Sequence, residues 1–115
     1  MMPDWILEFE GSVTVCDRDG VIVYMNDRAV RTFERWGGRE LVGRSLLDCH
    51  PEPARGKLVS LMEARQKNAY TIEKAGVRKL IYQAPWYDQG EYAGFVELGL
   101  ELPPELPHFV RRPAT

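Results

Sequence analysis

Residues 12–26, Ser-Val-Thr-Val-Cys-Asp-Arg-Asp-Gly-Val-Ile-Val-Tyr-Met-Asn, carry the clearest structural signal in the chain. Two β-rich runs, 12–17 and 21–26, lie on either side of Arg18-Asp19-Gly20. An Asp-Gly pair between such runs favours a tight turn, because glycine readily adopts the positive φ that the turn requires. The stretch therefore predicts an antiparallel β-hairpin.

Helical segments follow this hairpin. Asp27 is a suitable N-cap for a short helix, which Gly37-Gly38 should end. Pro51 and Pro53 suit the entrance of a longer helix, where a missing N–H costs little. In that helix the apolar residues recur at intervals of three and four and should lie on the core; they are Leu58, Leu61 and Met62.

Three further β-rich runs, at 69–74, 77–87 and 91–102, are joined by Ala75-Gly76 and Asp88-Gln89-Gly90. In the last run, apolar residues alternate with Glu97 and Glu101, so we expect the apolar face to meet the core. The apolar positions are Tyr92, Val96, Leu98, Leu100 and Leu102.

The order of these elements predicts an α+β fold with one antiparallel sheet that helices cover on one face. Residues 11–102 form the predicted domain. An amphipathic segment precedes it at 1–10, and a proline-rich tail follows it at 103–115.

Length and composition limit the possible functions. The chain has 115 residues, 44% of them hydrophobic, and a formal net charge of -2, which indicates one globular domain. Since no run of like charge occurs, nucleic acid is not an expected partner. The first ten residues lack a basic start, and no apolar stretch approaches the ~18 residues of a membrane span. We therefore predict a cytoplasmic protein with Cys16 and Cys49 as free thiols, although the sequence leaves their pairing open.

The order of elements and the turn residues together resemble the PAS sensory domain family over about residues 10–102. The matching positions are Asp17, Gly20, Ile22 and Asn26 of a D-x-x-G-x-I-x-x-x-N pattern, Ala29 of the next helix, Glu40, Gly43 and Arg44 of an E-x-x-G-R/K step, and Asp88-Gln89-Gly90-x-x-x-Gly94. The resemblance implies a five-stranded antiparallel sheet, a helical side that forms a small pocket, and use in sensing or dimerisation. Fold by itself does not establish function.

Cys49-His50-Pro51 is similar to an element of a bacterial PAS subgroup, whose relatives are often attached to iron-binding or signalling modules. Two departures from the wider family matter. Many PAS domains end with an Asp-Ile-Thr step before a signalling helix, whereas prolines follow Leu102 here. Flavin-binding photosensors carry Gly-Arg-Asn-Cys-Arg-Phe-Leu-Gln, whereas Cys49 lies three positions too late, so a light-driven flavin adduct is not expected.

His50 has two readings. Haem-binding relatives place a proximal histidine just before the long helix, and a neutral imidazole can ligate haem iron. Alternatively, Asp48, Cys49 and His50 form a helix-entry turn whose side chains bond to the backbone or to neighbours. Catalysis is not expected, because Cys49 and His50 lack a third orienting group. The spacing of the cysteines and histidines also disfavours structural zinc.

The apolar face of the long helix predicts a pocket against the last two strands. Such a cleft with a few polar groups is the default place for a small ligand. The predicted ligand-binding residues are Cys49, His50, Leu58, Leu61, Met62, Tyr82, Val96 and Leu98, with Ala84 beside them. The alternative is a filled core in which Met62 and Tyr82 occupy the space.

Trp5, Ile6 and Phe9 lie on one side of the N-terminal segment, and Phe95 should project from the outer face of the last strand. In the PAS family such an N-terminal helix commonly builds a dimer. We therefore expect a homodimer through these four residues, with intramolecular packing as the alternative. The leading hypothesis is a sensory domain that signals through a dimer or a partner protein; the other is an interaction module that binds no ligand.

Overall fold

The computed structural model describes residues 2–114. Met1 and Thr115, at the ends of the two predicted terminal segments, lie outside the described residues. The helices and strands are α1 (Asp4–Leu7), β1 (Ser12–Asp17), β2 (Ile22–Met25), α2 (Asp27–Thr32), α3 (Ala54–Ala64), β3 (Asn68–Lys74), β4 (Val77–Asp88) and β5 (Glu91–Leu102). Between α2 and α3 the chain forms the 3₁₀ turns Glu34–Trp36, Gly38–Leu41 and Leu46–Cys49.

The five strands form one antiparallel sheet in the order β2-β1-β5-β4-β3. This confirms the predicted α+β fold and its five-stranded sheet. The hairpin of residues 12–26 is present, and Gly20 has the positive φ that its turn needs.

Helices cover one face of the sheet, which we call the inner face. α3 buries Leu58 and Leu61 in a core that also contains Cys16, Ile22 and Phe95. Phe95, Ile22 and Leu58 are almost fully shielded from solvent, so this cluster supplies much of the apolar burial that stabilises the domain. The predicted long helix and its apolar stripe are thus confirmed.

The start of α2 differs from the prediction by one residue. Asn26, not Asp27, is the N-cap, because its Oδ1 accepts a hydrogen bond from the Ala29 amide at 3.0 Å. Asn26 Oδ1 also accepts from the Val13 amide at 2.9 Å, and Nδ2 donates to the carbonyl oxygens of Ile6 and Gly11. One buried side chain therefore joins β1, α2 and the N-terminal segment. The helix ends at Thr32, earlier than the predicted stop at Gly37-Gly38.

The side chains of β5 point to the opposite faces of the sheet from those predicted. Tyr92 pairs with Tyr87 and Gly94 with Trp86, so β5 has one extra residue, a β-bulge, between these pairs. The bulge shifts the alternation by one position and places both Tyr92 and Phe95 on the inner side.

Two placements from the sequence are consequently wrong. Phe95 is fully buried in the core and not on an outer surface. Because successive side chains of a strand point to opposite faces, Val96 and Leu98 lie on the outer face. Their cross-strand partners Ala84 and Tyr82 lie there with them, away from α3.

Candidate functional site

His50 lies in the interior between the 3₁₀ turn Leu46–Cys49 and α3, and only 8% of it is exposed. Its Nε2 is 2.9 Å from Oε2 of Glu97 on β5. Its Nδ1 is 2.9 Å from the carbonyl oxygen of Leu46. The histidine therefore connects the helical layer to the sheet through both ring nitrogens.

The hydrogen-bond partners of His50 indicate which of its ring nitrogens carry a hydrogen. A carbonyl oxygen only accepts hydrogen bonds, so Nδ1 of His50 carries a hydrogen. Glu97 Oε2 also accepts a hydrogen bond from the side-chain amide of Gln83 at 2.7 Å. Burial lowers the pKa of His50, but hydrogen bonds with Cys49 and Glu97 and the charge of Glu97 raise it to about 10. The pair is therefore an imidazolium and a carboxylate.

The polar contacts continue across the sheet. Asn68 at the start of β3 donates from Nδ2 to Oε1 of Gln83 on β4 at 3.2 Å. Together with His50 and Glu97, these residues form a chain of side-chain hydrogen bonds from the helical layer to an edge strand. Buried polar networks of this kind hold a defined arrangement when their members are paired.

Two polar atoms beside this chain have no hydrogen-bond partner among residues 2–114. Both hydrogen bonds of the Glu97 carboxylate fall on Oε2, which leaves Oε1 without one. Thr14 Oγ1 is buried and also unpaired. Thr14 and Glu97 are directly opposite each other in the register of β1 and β5. We call Thr14, His50, Asn68, Gln83 and Glu97 the inner polar cluster.

Two aromatic residues border the inner polar cluster. The rings of Phe33 and His50 are 6.0 Å apart between centroids. Tyr70 on the edge strand β3 is 40% exposed. Its pKa is raised by burial and by the negative charge of Glu97. Tyr70 pairs with Ile81 of β4, two positions from Gln83, and therefore shares the inner face with the cluster.

The structure brings together some of the sequence-predicted ligand residues and separates others. Cys49 and His50 are adjacent in the interior, where Cys49 Sγ lies 3.3 Å from the Leu46 carbonyl oxygen. Leu58 and Leu61 belong to the packed core. Both cysteines are free thiols. The three residues on the outer face of the sheet, which do not join the helix side, are Tyr82, Val96 and Leu98.

Met62 packs beside the core and also lines an open groove of about 330 Å³. Val59, Tyr92 and Arg65 line the same groove, and the Arg65 guanidinium lies 4.4 Å from the centroid of the Tyr92 ring. This groove runs along the outside of α3, and its lining does not include the inner polar cluster.

His50 does not fit the role of a haem ligand. An axial histidine needs one ring nitrogen directed at the iron. Here Nε2 is bonded to Glu97 and Nδ1 to the Leu46 carbonyl oxygen. The second interpretation, in which side chains of a helix-entry turn bond to the backbone or to neighbours, fits Cys49 and His50.

Reasoning from the sequence missed Thr14, Asn68, Gln83 and Glu97 as members of the inner polar cluster. Glu97 was expected on a solvated face, yet only 7% of it is exposed. A signal was present: Gln83 and Glu97 each interrupt an apolar strand near its middle, where a polar side chain needs a partner.

Comparisons with known proteins agree with this architecture. A family model described as PAS fold matches residues 10–102. A C-terminal domain from Streptococcus mutans superposes with a TM-score of 0.68 at 23% identity, covering 84% of this chain and 78% of that one.

Two structures from Vibrio cholerae are also similar. A sensory box sensor histidine kinase gives a TM-score of 0.63 at 14% identity, with 83% of each chain covered. The Aer2 receptor, described as a dual PAS-heme oxygen sensor, gives 0.59 at 15% identity over 81% of this chain and 95% of that one. No curated protein matches the sequence. Within residues 2–114, no helix is both long and apolar enough to cross a membrane.

Proposed function

The chain belongs to the PAS fold family, and on that premise we propose that it is a sensory domain which binds a small ligand between its helical layer and the inner face of its sheet. The observation that carries this proposal is the inner polar cluster, which leaves Thr14 Oγ1 and Glu97 Oε1 without partners. Buried polar groups are nearly always paired, so the fully buried, unpaired hydroxyl of Thr14 calls for a further group. We keep Cys49-His50-Pro51 as a proposed mark of a PAS subgroup.

The chain of side-chain hydrogen bonds couples a ligand bound at Glu97 to the helical layer and to the edge strand of the sheet. His50 follows the turn that precedes α3, and Asn68 lies on the edge strand β3. A ligand that forms a hydrogen bond with Glu97 changes the strength of the hydrogen bonds that Glu97 makes to His50 and Gln83. Such a ligand shifts the packing of helix on sheet only by its difference in affinity for the two arrangements.

A thermal-shift screen of small metabolites, with native mass spectrometry of the freshly purified protein, tests the sensory proposal. A true ligand at about 100 times its Kd adds about 2.7 kcal/mol to the free energy of unfolding. We expect the shift to be lost in Gln83→Leu, which breaks the cluster, and kept in Gln66→Leu, where the glutamine is exposed. A screen in which no compound raises the melting temperature and nothing copurifies would contradict the proposal.

The outer face of the sheet favours a second function, homodimerisation. It carries a continuous set of apolar side chains: Val13, Val15, Leu80, Tyr82, Ala84, Val96, Leu98 and Leu100. Trp5 is 65% and Phe9 42% exposed, and their rings meet edge to face at 5.7 Å. Val13 and Val15 are buried and the other six are partly exposed, and a contiguous, partly exposed apolar surface is typical of an interaction site. We propose that Trp5, Ile6 and Phe9 join this face in a homodimer, without the buried Phe95.

Sedimentation velocity over a range of protein concentrations tests the dimer. We expect the wild type to associate, and Trp5→Ala and Phe9→Ala to shift the equilibrium towards monomer. Val42→Ala is a suitable control, because Val42 is 43% exposed elsewhere on the surface. A wild type that stays monomeric at every concentration would rule out this second function.

A further inference from the structure

Thr14 and Glu97 offer complementary hydrogen-bonding atoms at neighbouring positions of the inner face. They are direct cross-strand partners, and side chains in such pairs have Cβ atoms about 4.5–5.5 Å apart. Thr14 is 1% exposed and its hydroxyl is unpaired. Nine-tenths of the Glu97 side chain is buried, and its Oε1 receives no hydrogen bond from residues 2–114.

The chemistry of these two atoms restricts what can bind them. The Thr14 hydroxyl can donate a hydrogen bond, whereas a carboxylate oxygen can only accept one. A single group that serves both must donate to Glu97 and pair with Thr14, whose hydroxyl can donate or accept. Hydroxyl and primary amide groups, which both donate and accept, do this, whereas ethers and ketones cannot donate to the carboxylate.

The surroundings also restrict the charge and shape of the ligand. The imidazolium of His50 already balances the carboxylate of Glu97. A charged ligand would therefore bring an uncompensated charge into the interior, which is costly. Phe33 and Ile81, both half-buried, supply apolar surface at this level of the inner face.

Resting on the sensory function proposed above, we propose that the inner polar cluster selects a small neutral molecule through one hydroxyl or primary amide, which accepts a hydrogen bond from Thr14 and donates one to Glu97. The apolar body of that molecule lies towards the half-buried Phe33 and towards Tyr70, which is 40% exposed.

Matched pairs of probes test this specificity on the full chain. Benzyl alcohol and ethylbenzene have the same shape but differ in the hydroxyl. Benzamide and acetophenone both accept a hydrogen bond, but only benzamide donates. Affinities come from ¹H–¹⁵N NMR titrations that follow the amide signals of residues 14 and 97. We expect benzyl alcohol and benzamide each to bind at least about tenfold more tightly than their partners, because a site built to hydrogen-bond a group rejects analogues that lack it.

Two variants test whether the Thr14 hydroxyl causes this preference. Thr14→Val keeps the shape of the side chain and removes only the hydroxyl, so the preference for benzyl alcohol should fall to about twofold or less. Thr71→Val alters an exposed threonine of β3 and should retain the full preference.

Each other outcome contradicts the specificity proposal. Equal affinity within a probe pair, a preference that survives Thr14→Val, or no binding that perturbs residues 14 and 97 would each overturn it. If the metabolite screen meanwhile finds a ligand that lacks both groups, the sensory function stands and only this specificity fails. If the screen finds no ligand at all, the sensory function fails.

Discussion

The ion pair between His50 and Glu97 makes the stability of the fold depend on pH. The pKa of His50 is raised from its ordinary 6.5 to about 10, so the folded chain keeps a proton that the unfolded chain loses above pH 6.5. The stabilisation is fully present below pH 6.5 and is lost as the pH rises through 10. We expect the free energy of unfolding to fall in this window by up to about 1.4 kcal/mol per pH unit, as measured by urea denaturation at each pH.

The two histidines of the chain provide a matched pair for this experiment. In His50→Gln the decline between pH 6.5 and 10 should largely disappear. In His108→Gln it should persist, because His108 is exposed in the tail. A wild type whose stability is level across this window would show that His50 is not held as an imidazolium.

The unpaired hydroxyl of Thr14 should cost stability in the free protein. A buried polar group without a partner carries a desolvation penalty of about 1–3 kcal/mol. Thr14→Val should therefore raise the free energy of unfolding by about 1 kcal/mol, whereas the exposed Thr71→Val should leave it within about 0.5 kcal/mol. A loss of stability in Thr14→Val would mean that the hydroxyl is satisfied, for example by an ordered water.

At the level of elements, the β-bulge at Gly94 sets which face of β5 meets the core. Gly94 has φ +153°, and a Cβ there would overlap the carbonyl oxygen of Cys16 on the adjacent strand. Gly94→Ala should destabilise the fold by about 3 kcal/mol or more. Gly90, in the turn before β5, has open space around it, so Gly90→Ala should cost only about 1 kcal/mol for its positive φ.

Chemical denaturation of the two glycine variants compares these costs. Equal losses in Gly94→Ala and Gly90→Ala would show that β5 passes β1 less closely than the register indicates. A Gly94→Ala chain that is soluble yet unfolded by circular dichroism, next to a folded Gly90→Ala chain, agrees with the larger expected cost.

The same bulge explains why the sequence predicted the strands but not the site. The hairpin turn at Gly20 and the helix after Pro53 follow from local preferences that a sequence displays directly. The facing of β5 depends on one extra residue, which only the pairing with β4 reveals. If this extra residue is ignored, strict alternation along β5 places Val96 on the inner face and Glu97 on the outer face. Glu97 is tolerated inside because His50, distant in sequence, supplies the opposite charge.

At the scale of the whole molecule, the sheet separates two chemically different surfaces. Its inner face carries the inner polar cluster beneath the helices, and its outer face carries the apolar residues that simple patterning assigns to a core. Val13 and Val15 are buried on that outer face even in a single chain, whereas Leu98 and Tyr82 are half-buried there. The partly exposed apolar residues of the outer face suit a partner there.

If a second copy covers the outer face, the thermal stability must depend on protein concentration. Association stabilises only the folded state, so a tenfold rise in concentration above the dissociation constant should raise the melting temperature by a few degrees. Leu98→Lys places a charge in the middle of the face and should abolish this dependence. Because Leu98 is half-buried, the single chain also loses some stability, so the readout is the concentration dependence and not the melting temperature itself. Val42→Lys, at an exposed site elsewhere, should retain it. Differential scanning calorimetry over two decades of concentration measures the effect; a melting temperature that is constant for the wild type would contradict the dimer and leave the inner face as the functional surface.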